Sequence, residues 1–268
     1  MRQKLKKYTR ILNIHLQVSL MYRAELIMWA VVNAFPMLGM ILLWSSIYRD
    51  NQGVTGFSLQ SLITYYLIGY LIGRFISTNV ELDFIDEIRT GSISKYILKP
   101  FTVPKMMLMQ ELGWRVLNFA IVIVPIILLI TIFGRNFLIL PTLSGLLLVV
   151  VFITCSFTIN VLISVLITAV AFFIDQGKTI VHSKWMLGGI FSGSLLPLTL
   201  YPDWLEKIAR ILPFQFQFSL PLEAYLSQLD GKGIIISITK AIIWIAVLWC
   251  ANHLAWRKAI NKFTAVGN

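Results

Sequence analysis

The sequence predicts an all-α membrane protein with six transmembrane helices and both termini in the cytoplasm. Three observations carry that reading. First, 57% of the 268 residues are hydrophobic and only 13% are charged, with a mean hydropathy of +0.79. Ordinary soluble domains contain about 45–50% apolar residues, so a soluble globular enzyme is excluded. Second, the charges sit between long uncharged runs at 26–48, 51–73, 116–134, 136–174, 185–202 and 241–256. Several of these alone reach the roughly 20 residues that cross a hydrocarbon core. Third, the net charge of +11 is distributed unevenly once the spans are drawn. With spans at 25–48, 58–79, 116–134, 140–172, 183–200 and 234–256, sixteen of the 23 Lys and Arg residues fall on the side of the termini. Five fall opposite: Arg49, Arg135, Lys207, Arg210 and Lys232. The excess of positive charge marks the cytoplasmic side. A basic surplus of this kind reports topology, and nucleic acid is not an expected partner.

Residues 1–22 precede the first span. Over 3–20, Leu5, Tyr8, Leu12, Leu16 and Ser19 share one helical face, and Lys6, Lys7, Arg10, Asn13 and Gln17 the other. This pattern suits a helix lying in the cytoplasmic interface. The segment has no apolar core of signal-peptide length and no small-residue cleavage site, so it is expected to stay on the mature chain. Cys155 and Cys250 fall in apolar runs and read as inert buried thiols, without redox chemistry.

The loop from 80 to 115 is the longest cytoplasmic one. Glu81, Asp83, Asp86 and Glu87 interleave with Leu82, Phe84, Ile85 and Ile88, and Gly91 follows where a helix C-terminus favours glycine. A second short helical stretch is expected over 92–98, ending before Lys99-Pro100 because the residue before a proline disfavours helix. Pro104 then opens a helix leading into the third span. So much apolar surface must dock on the membrane, on the spans or on another protein.

The region 183–221 places Gly188, Gly189 and Gly193 before Pro197, Pro202 and Pro213. Non-helical backbone at membrane depth is tolerated only where protein or water covers it. This predicts a broken or re-entrant fifth span followed by an amphipathic outer helix over 202–212, with Trp204, Leu205, Ile208 and Leu212 facing inward. An ordinary kinked span packed through its small residues is the alternative.

The two informative regions carry a family resemblance. Glu87-Ile-Arg-Thr-Gly91-Ser-Ile-Ser-Lys-Tyr-Ile-Leu-Lys99-Pro100 resembles the E-I-R-x-G-x-I-x-x-Y-L-L-K-P segment of type-2 ABC exporter permeases. Leu196-Pro197-Leu, Tyr201-Pro202-Asp-Trp-Leu and Leu212-Pro213-Phe are similar to the P-L-x-x-x-P-x-W-L-x-x-I-x-x-x-L-P-F stretch of the same permeases. The resemblance covers nearly the whole chain and implies a single permease domain. It implies pairing with a second permease, identical or related, and with two ATP-binding cassette ATPase subunits that hold ATP and Mg. No cofactor is expected on this chain, because a Gly-x-x-x-x-Gly-Lys-Ser/Thr phosphate loop does not occur in it. In the family, the loop between spans two and three contacts the ATPase. Carried across, that places Asp86, Glu87, Arg89, Gly91, Tyr96 and Lys99 in or beside the contact.

The resemblance implies ATP-driven efflux across the plasma (inner) membrane of a bacterium. Ionisable residues within the spans are few, chiefly Arg74 near the inner part of span two and Lys240 at the outer start of span six. Arg74 is a candidate pathway residue. So few charges favour an amphipathic or hydrophobic substrate. A secondary transporter or channel would ordinarily show an inverted repeat or buried coupling carboxylates, and a non-transporting immunity or sensor subunit on the same fold is a third reading. His15, His182 and His253 are scattered, so neither an intramembrane enzyme nor a metal site is expected.

Overall fold

In the computed structural model, residues 17, 21, 23–50, 57–97, 102–115, 138–174 and 176–262 are described, and these are helical with no strand among them. The helices are α1 (Arg23–Asp50), α2 (Leu59–Ile76), α3 (Val80–Arg89), α4 (Ser94–Ile97), α5 (103–115), α6 (Leu143–Ala171), α7 (Gly177–Phe191), α8 (Asp203–Ile211), α9 (Ser219–Tyr225) and α10 (Gly231–Lys262). Short 3₁₀ turns at Leu198–Leu200 and Pro213–Gln217 complete the segment between α7 and α9.

Four stretches among the described residues are long and apolar enough to cross a membrane: Ile27–Arg49, Leu59–Arg89, Leu143–Ala171 and Gly231–Lys262. The second stretch bends at 77–79, between α2 and α3. The expected third span, 116–134, and the interfacial helix over 1–22, apart from residues 17 and 21, lie outside the described residues.

The helix limits follow local chemistry. Ser58 caps α2 by accepting from the Ser61 N–H at 3.1 Å, and Thr142 caps α6 by accepting from the Gly145 N–H at 3.1 Å. At the end of α3, Thr90 is followed by Gly91 with φ of +73°, the left-handed conformation that glycine adopts without a Cβ clash. Helix α5 begins one residue before Pro104, in the first turn where a missing N–H costs nothing.

The region expected as span five breaks. Helix α7 starts at Gly177 and ends at Phe191, 15 residues that rise about 22 Å, short of a roughly 30 Å hydrocarbon core. Gly193 then reverses the chain with φ of +87°. Gly188 and Gly189 lie inside α7 and not at the reversal, while Pro197 precedes the first 3₁₀ turn and Pro202 precedes α8. Helix α8 sits differently from expectation. Ala209 is its buried residue, Leu205 and Leu212 are half-buried, and Trp204 and Ile208 are exposed. Its large apolar side chains point away from the protein, where a bilayer interface would receive them.

Helix α6 is the axis of the fold, packing against α10, α9, α3, α2 and α7. One buried cluster joins Met37 and Trp44 of α1 to Tyr65 and Tyr66 of α2, Phe152 of α6 and Leu222 of α9. A second joins Phe84 of α3 and Met107 of α5 to Val165 of α6 and Trp256 of α10. Between apolar helices in lipid the hydrophobic effect offers little, so shape and buried hydrogen bonds must supply the specificity. The bonds are present: Trp44 Nε1 donates to Tyr66 Oη at 3.2 Å, and the Tyr65 and Tyr66 hydroxyls donate to Gly193 O at 2.7 Å and Leu195 O at 2.9 Å. These last two fasten α2 to the reversal after α7.

Candidate functional site

Between α2 and α3 the chain turns through 77–79 against the protein interior. Such a break strands the last carbonyls of one helix and the first N–H groups of the next. Both sets find partners on α5. Arg115 Nε donates to Phe75 O at 2.6 Å, and its Nη2 donates to Ser77 O at 2.9 Å and Ile76 O at 3.3 Å. Glu111 Oε1 accepts from the N–H groups of Asn79 at 3.0 Å and Val80 at 2.9 Å. The two side chains pair with each other at 2.5 Å, one helical turn apart. A cation thus closes a helix C-terminus and an anion opens a helix N-terminus, each with the sign that the helix dipole favours. The Arg115 guanidinium also lies 4.0 Å over the Phe157 ring of α6.

A second set of bonds holds the first turn of α3 from the other side. Lys184 of α7 pairs with Glu81, which is fully buried, and donates to Thr78 O at 2.7 Å. Thr78 Oγ1 and Ser164 Oγ of α6 share a hydrogen bond at 2.6 Å, and Trp185 Nε1 donates to Asn79 Oδ1 at 3.2 Å. One turn deeper on α6, Asn160 Oδ1 accepts from Gln217 Nε2 at 2.8 Å. Thr78 Oγ1 reaches Asn160 O at 3.4 Å, so polar contacts run from α3 to the 3₁₀ turn at Pro213–Gln217. A buried ion pair costs desolvation that only close geometry and further hydrogen bonds offset. Glu81–Lys184 therefore fixes an arrangement more than it adds net stability.

With Val80, Glu81, Phe84 and Ile85 buried, α3 presents its other face outward. Of the residues assigned to the contact from the sequence, Asp86 pairs with Lys178 of α7 at 2.8 Å, and Glu87 pairs with Lys95 at 2.5 Å. Ser92 Oγ donates to Glu87 Oε2 at 2.6 Å. The Glu87 carboxylate raises the Lys95 ammonium above its ordinary pKa by hydrogen bonding to its charged form. Arg89 is exposed, Gly91 forms the turn, and Tyr96 packs its ring 5.2 Å from Phe84. Lys99 lies outside the described residues. Asp86, Glu87, Arg89 and Lys95 thus form one charged outer surface on a short helical hairpin. Arg74, in the last turn of α2, is half-buried and within electrostatic reach of Tyr70.

Sequence reasoning missed the four residues that anchor the hairpin: Glu81, Glu111, Arg115 and Lys184. A signal existed for two of them, because Glu111 and Arg115 stand at the i,i+4 spacing of a helical ion pair. Glu81 and Lys184 are 103 positions apart and carry no local mark of their pairing.

The charged hairpin rests on a buried polar joint at the end of a membrane-spanning helix, and this suits a part that receives a partner. The family model for ABC-2 family transporter protein matches the chain over residues 34–267. No curated protein and no solved structure matches it. The match includes every helix from α2 onward and most of α1. The chain belongs to the ABC-2 transporter family, as a multi-pass membrane permease subunit of the kind that works with an ATPase partner.

Proposed function

We propose that this chain is the permease of an ATP-driven exporter, with six spans and both termini in the cytoplasm of a bacterium, embedded in the plasma membrane. It pairs with a second permease and with two ATP-binding cassette ATPases, which hold ATP and Mg. The observation that carries this reading is the division of α3 into two faces. One is fixed to α5 and α7 through Glu81, Glu111 and Lys184, with Arg115 tying Glu111 to the end of α2, and the other offers Asp86, Glu87 and Arg89 outward beside Lys95 of α4. A helix held this way behaves as a lever. When ATP closes the ATPases, force on the outer face passes through the joint as a rigid-body motion of α2 and α7, because packed elements switch between discrete arrangements and do not deform continuously. Through the Asn160–Gln217 bond the motion reaches the broken segment.

The exposed apolar face of α1, with Trp29, Val32, Phe35 and Leu42, supports a second permease or lipid beside it. The scarcity of charge within the spans favours an amphipathic or hydrophobic substrate. The test is co-purification of the tagged chain with an ATP-binding cassette ATPase, followed by an ATPase and efflux assay in lipid. The expected result is ATP-dependent efflux that requires both proteins. Transport driven by an ion gradient, with no ATPase bound, would replace this reading with a secondary transporter; an assembled complex with ATPase activity but no efflux of any amphiphile would favour a sensor or immunity subunit.

A further inference from the structure

After α8 the chain dips between the long helices. Phe216, in the 3₁₀ turn at Pro213–Gln217, packs with Ile159 of α6 and Leu248 of α10 in one buried cluster. Its carbonyl accepts from Ser156 Oγ, and Gln217 Nε2 donates to Asn160 Oδ1 at 2.8 Å. A Cβ on Gly69 of α2 would strike the ring of Phe218, the next residue. Ser156, Ile159 and Asn160 flank the midpoint of Leu143–Ala171, Leu248 lies beside that of Gly231–Lys262, and Gly69 beside that of Leu59–Ile76. Three helices of membrane-spanning stretches therefore meet the turn at their own midpoints, which sets it near the middle of the bilayer.

At that depth a polar side chain needs protein or water around it, because hydrocarbon offers an amide no partner. Pro213, Gln215 and Phe216 are buried, whereas Phe214 and Gln217 are only half-buried. Residues three apart eclipse in a 3₁₀ turn, so these two open to the same side. Gln217 gives one N–H to Asn160, while its Oε1 accepts from no group among the described residues. The part of α7 beside it lacks side chains: a Cβ on Gly188 would stand 2.9 Å from Gln217 Oε1, and one on Gly189 would meet nothing within 4 Å. Irregular backbone and a half-exposed acceptor beside open space, at mid-membrane, are the marks of a water-filled passage.

We infer that Gln217 lines the transport path at the middle of the membrane and is a specificity-determining residue of it. This rests on the exporter reading above, since a path requires transport. The contact offered there is a neutral acceptor eclipsed with the Phe214 ring, and it suits an N–H or O–H group on an otherwise apolar molecule. Asn160 holds the amide in place from α6, the same helix that receives the motion of α3 through Thr78.

The experiment measures thiol modification in the full-length chain, with the subunits that purify with it, in phosphatidylcholine nanodiscs. The background carries Cys155→Ser and keeps Cys250, which continues the exposed apolar stripe of Ile243, Val247 and Leu254 on α10 and serves as the lipid-facing control. The probes are the cationic aminoethyl and the anionic sulfonatoethyl methanethiosulfonates, which react with thiolates in water. Gln217→Cys and Phe214→Cys, the second of which leaves the Asn160 bond intact, should each react at least about a hundredfold faster than Cys250. ATP with vanadate should change those rates severalfold as the path switches. Adding Gln217→Glu to Phe214→Cys should raise the ratio of cationic to anionic rates about tenfold. No modification of either variant in a complex that hydrolyses ATP would overturn the path and leave the exporter reading standing. Rates indifferent to ATP and vanadate in such a complex would overturn it too, making the water a static crevice. An unchanged ratio with Gln217→Glu would overturn the specificity role. Fast modification in a chain that purifies without an ATPase would keep the path and sink the exporter reading instead.

Discussion

Arg115 closes the end of α2 and Glu111, one turn earlier on the same helix, opens the start of α3. A single ion pair on α5 therefore sets the angle between a membrane-spanning helix and the helix that leaves it.

Truncating one member strands the other in a buried place. Glu111→Ala should destabilise the protein by about 3–5 kcal/mol, the usual cost of breaking a buried pair. Glu111→Gln keeps an oxygen to accept from the Asn79 and Val80 N–H groups and should lose about 1–2 kcal/mol. Thermal unfolding followed by size-exclusion chromatography in detergent distinguishes them, and equal losses would contradict the capping role.

The Glu81–Lys184 pair separates stability from coupling. Lys184→Met alone should destabilise by about 3–5 kcal/mol, since Glu81 is left buried and charged. Adding Glu81→Leu should recover most of that loss. The double variant should then fold and bind the ATPase but show reduced ATP-driven transport, because the link to Thr78 O is gone. Full transport in the double variant would mean that α3 transmits motion by another route.

At Gly193 a Cβ would meet Tyr65 Oη at 2.9 Å, with φ at +87°. Gly193→Ala should cost about 1–3 kcal/mol from the backbone conformation alone. Tyr65→Phe removes the bond to Gly193 O and should cost about 1 kcal/mol. The melting temperatures of the two variants check both values.

On the outer face of α3 the balance reverses. Lys95 is half-exposed, so Glu87→Gln should change stability by no more than about 0.5 kcal/mol. Glu87→Lys combined with Arg89→Glu should leave the melting temperature within a degree or two and reduce ATPase binding in a pull-down at low salt. Undiminished binding at every salt concentration would remove this face from the contact.

Much of the fold was legible because its signals are local. The uncharged runs marked α1, α2, α6 and α10, and Gly91 and Pro104 marked the ends of the hairpin around α3. In the region expected as the fifth span, the glycines and prolines signalled that the helix would end, but not where. Of Gly188, Gly189 and Gly193, Gly193 alone adopts positive φ, while Gly188 sits in the helix where a Cβ would meet Gln217 Oε1 at 2.9 Å. Composition shows that small residues are needed and cannot tell close packing from a turn. The facing of α8 was misread because an apolar stripe at helical spacing looks the same whether it meets protein or lipid. The anchoring quartet was hidden for a different reason: the partners of Glu81 and of the α2 carbonyls come from distant helices.

That distance orders the birth of the molecule. The α2 carbonyls wait for Arg115, 40 positions after Phe75, and Glu81 waits for Lys184, 103 positions later. At 5–20 residues per second, the first delay is about 2–8 s and the second about 5–20 s. During translation the nascent elbow therefore holds open backbone groups and a lone carboxylate, finding its caps first and its counterion afterwards. A chain truncated between 115 and 184 would keep the Arg115 and Glu111 caps and lack the counterion of Glu81.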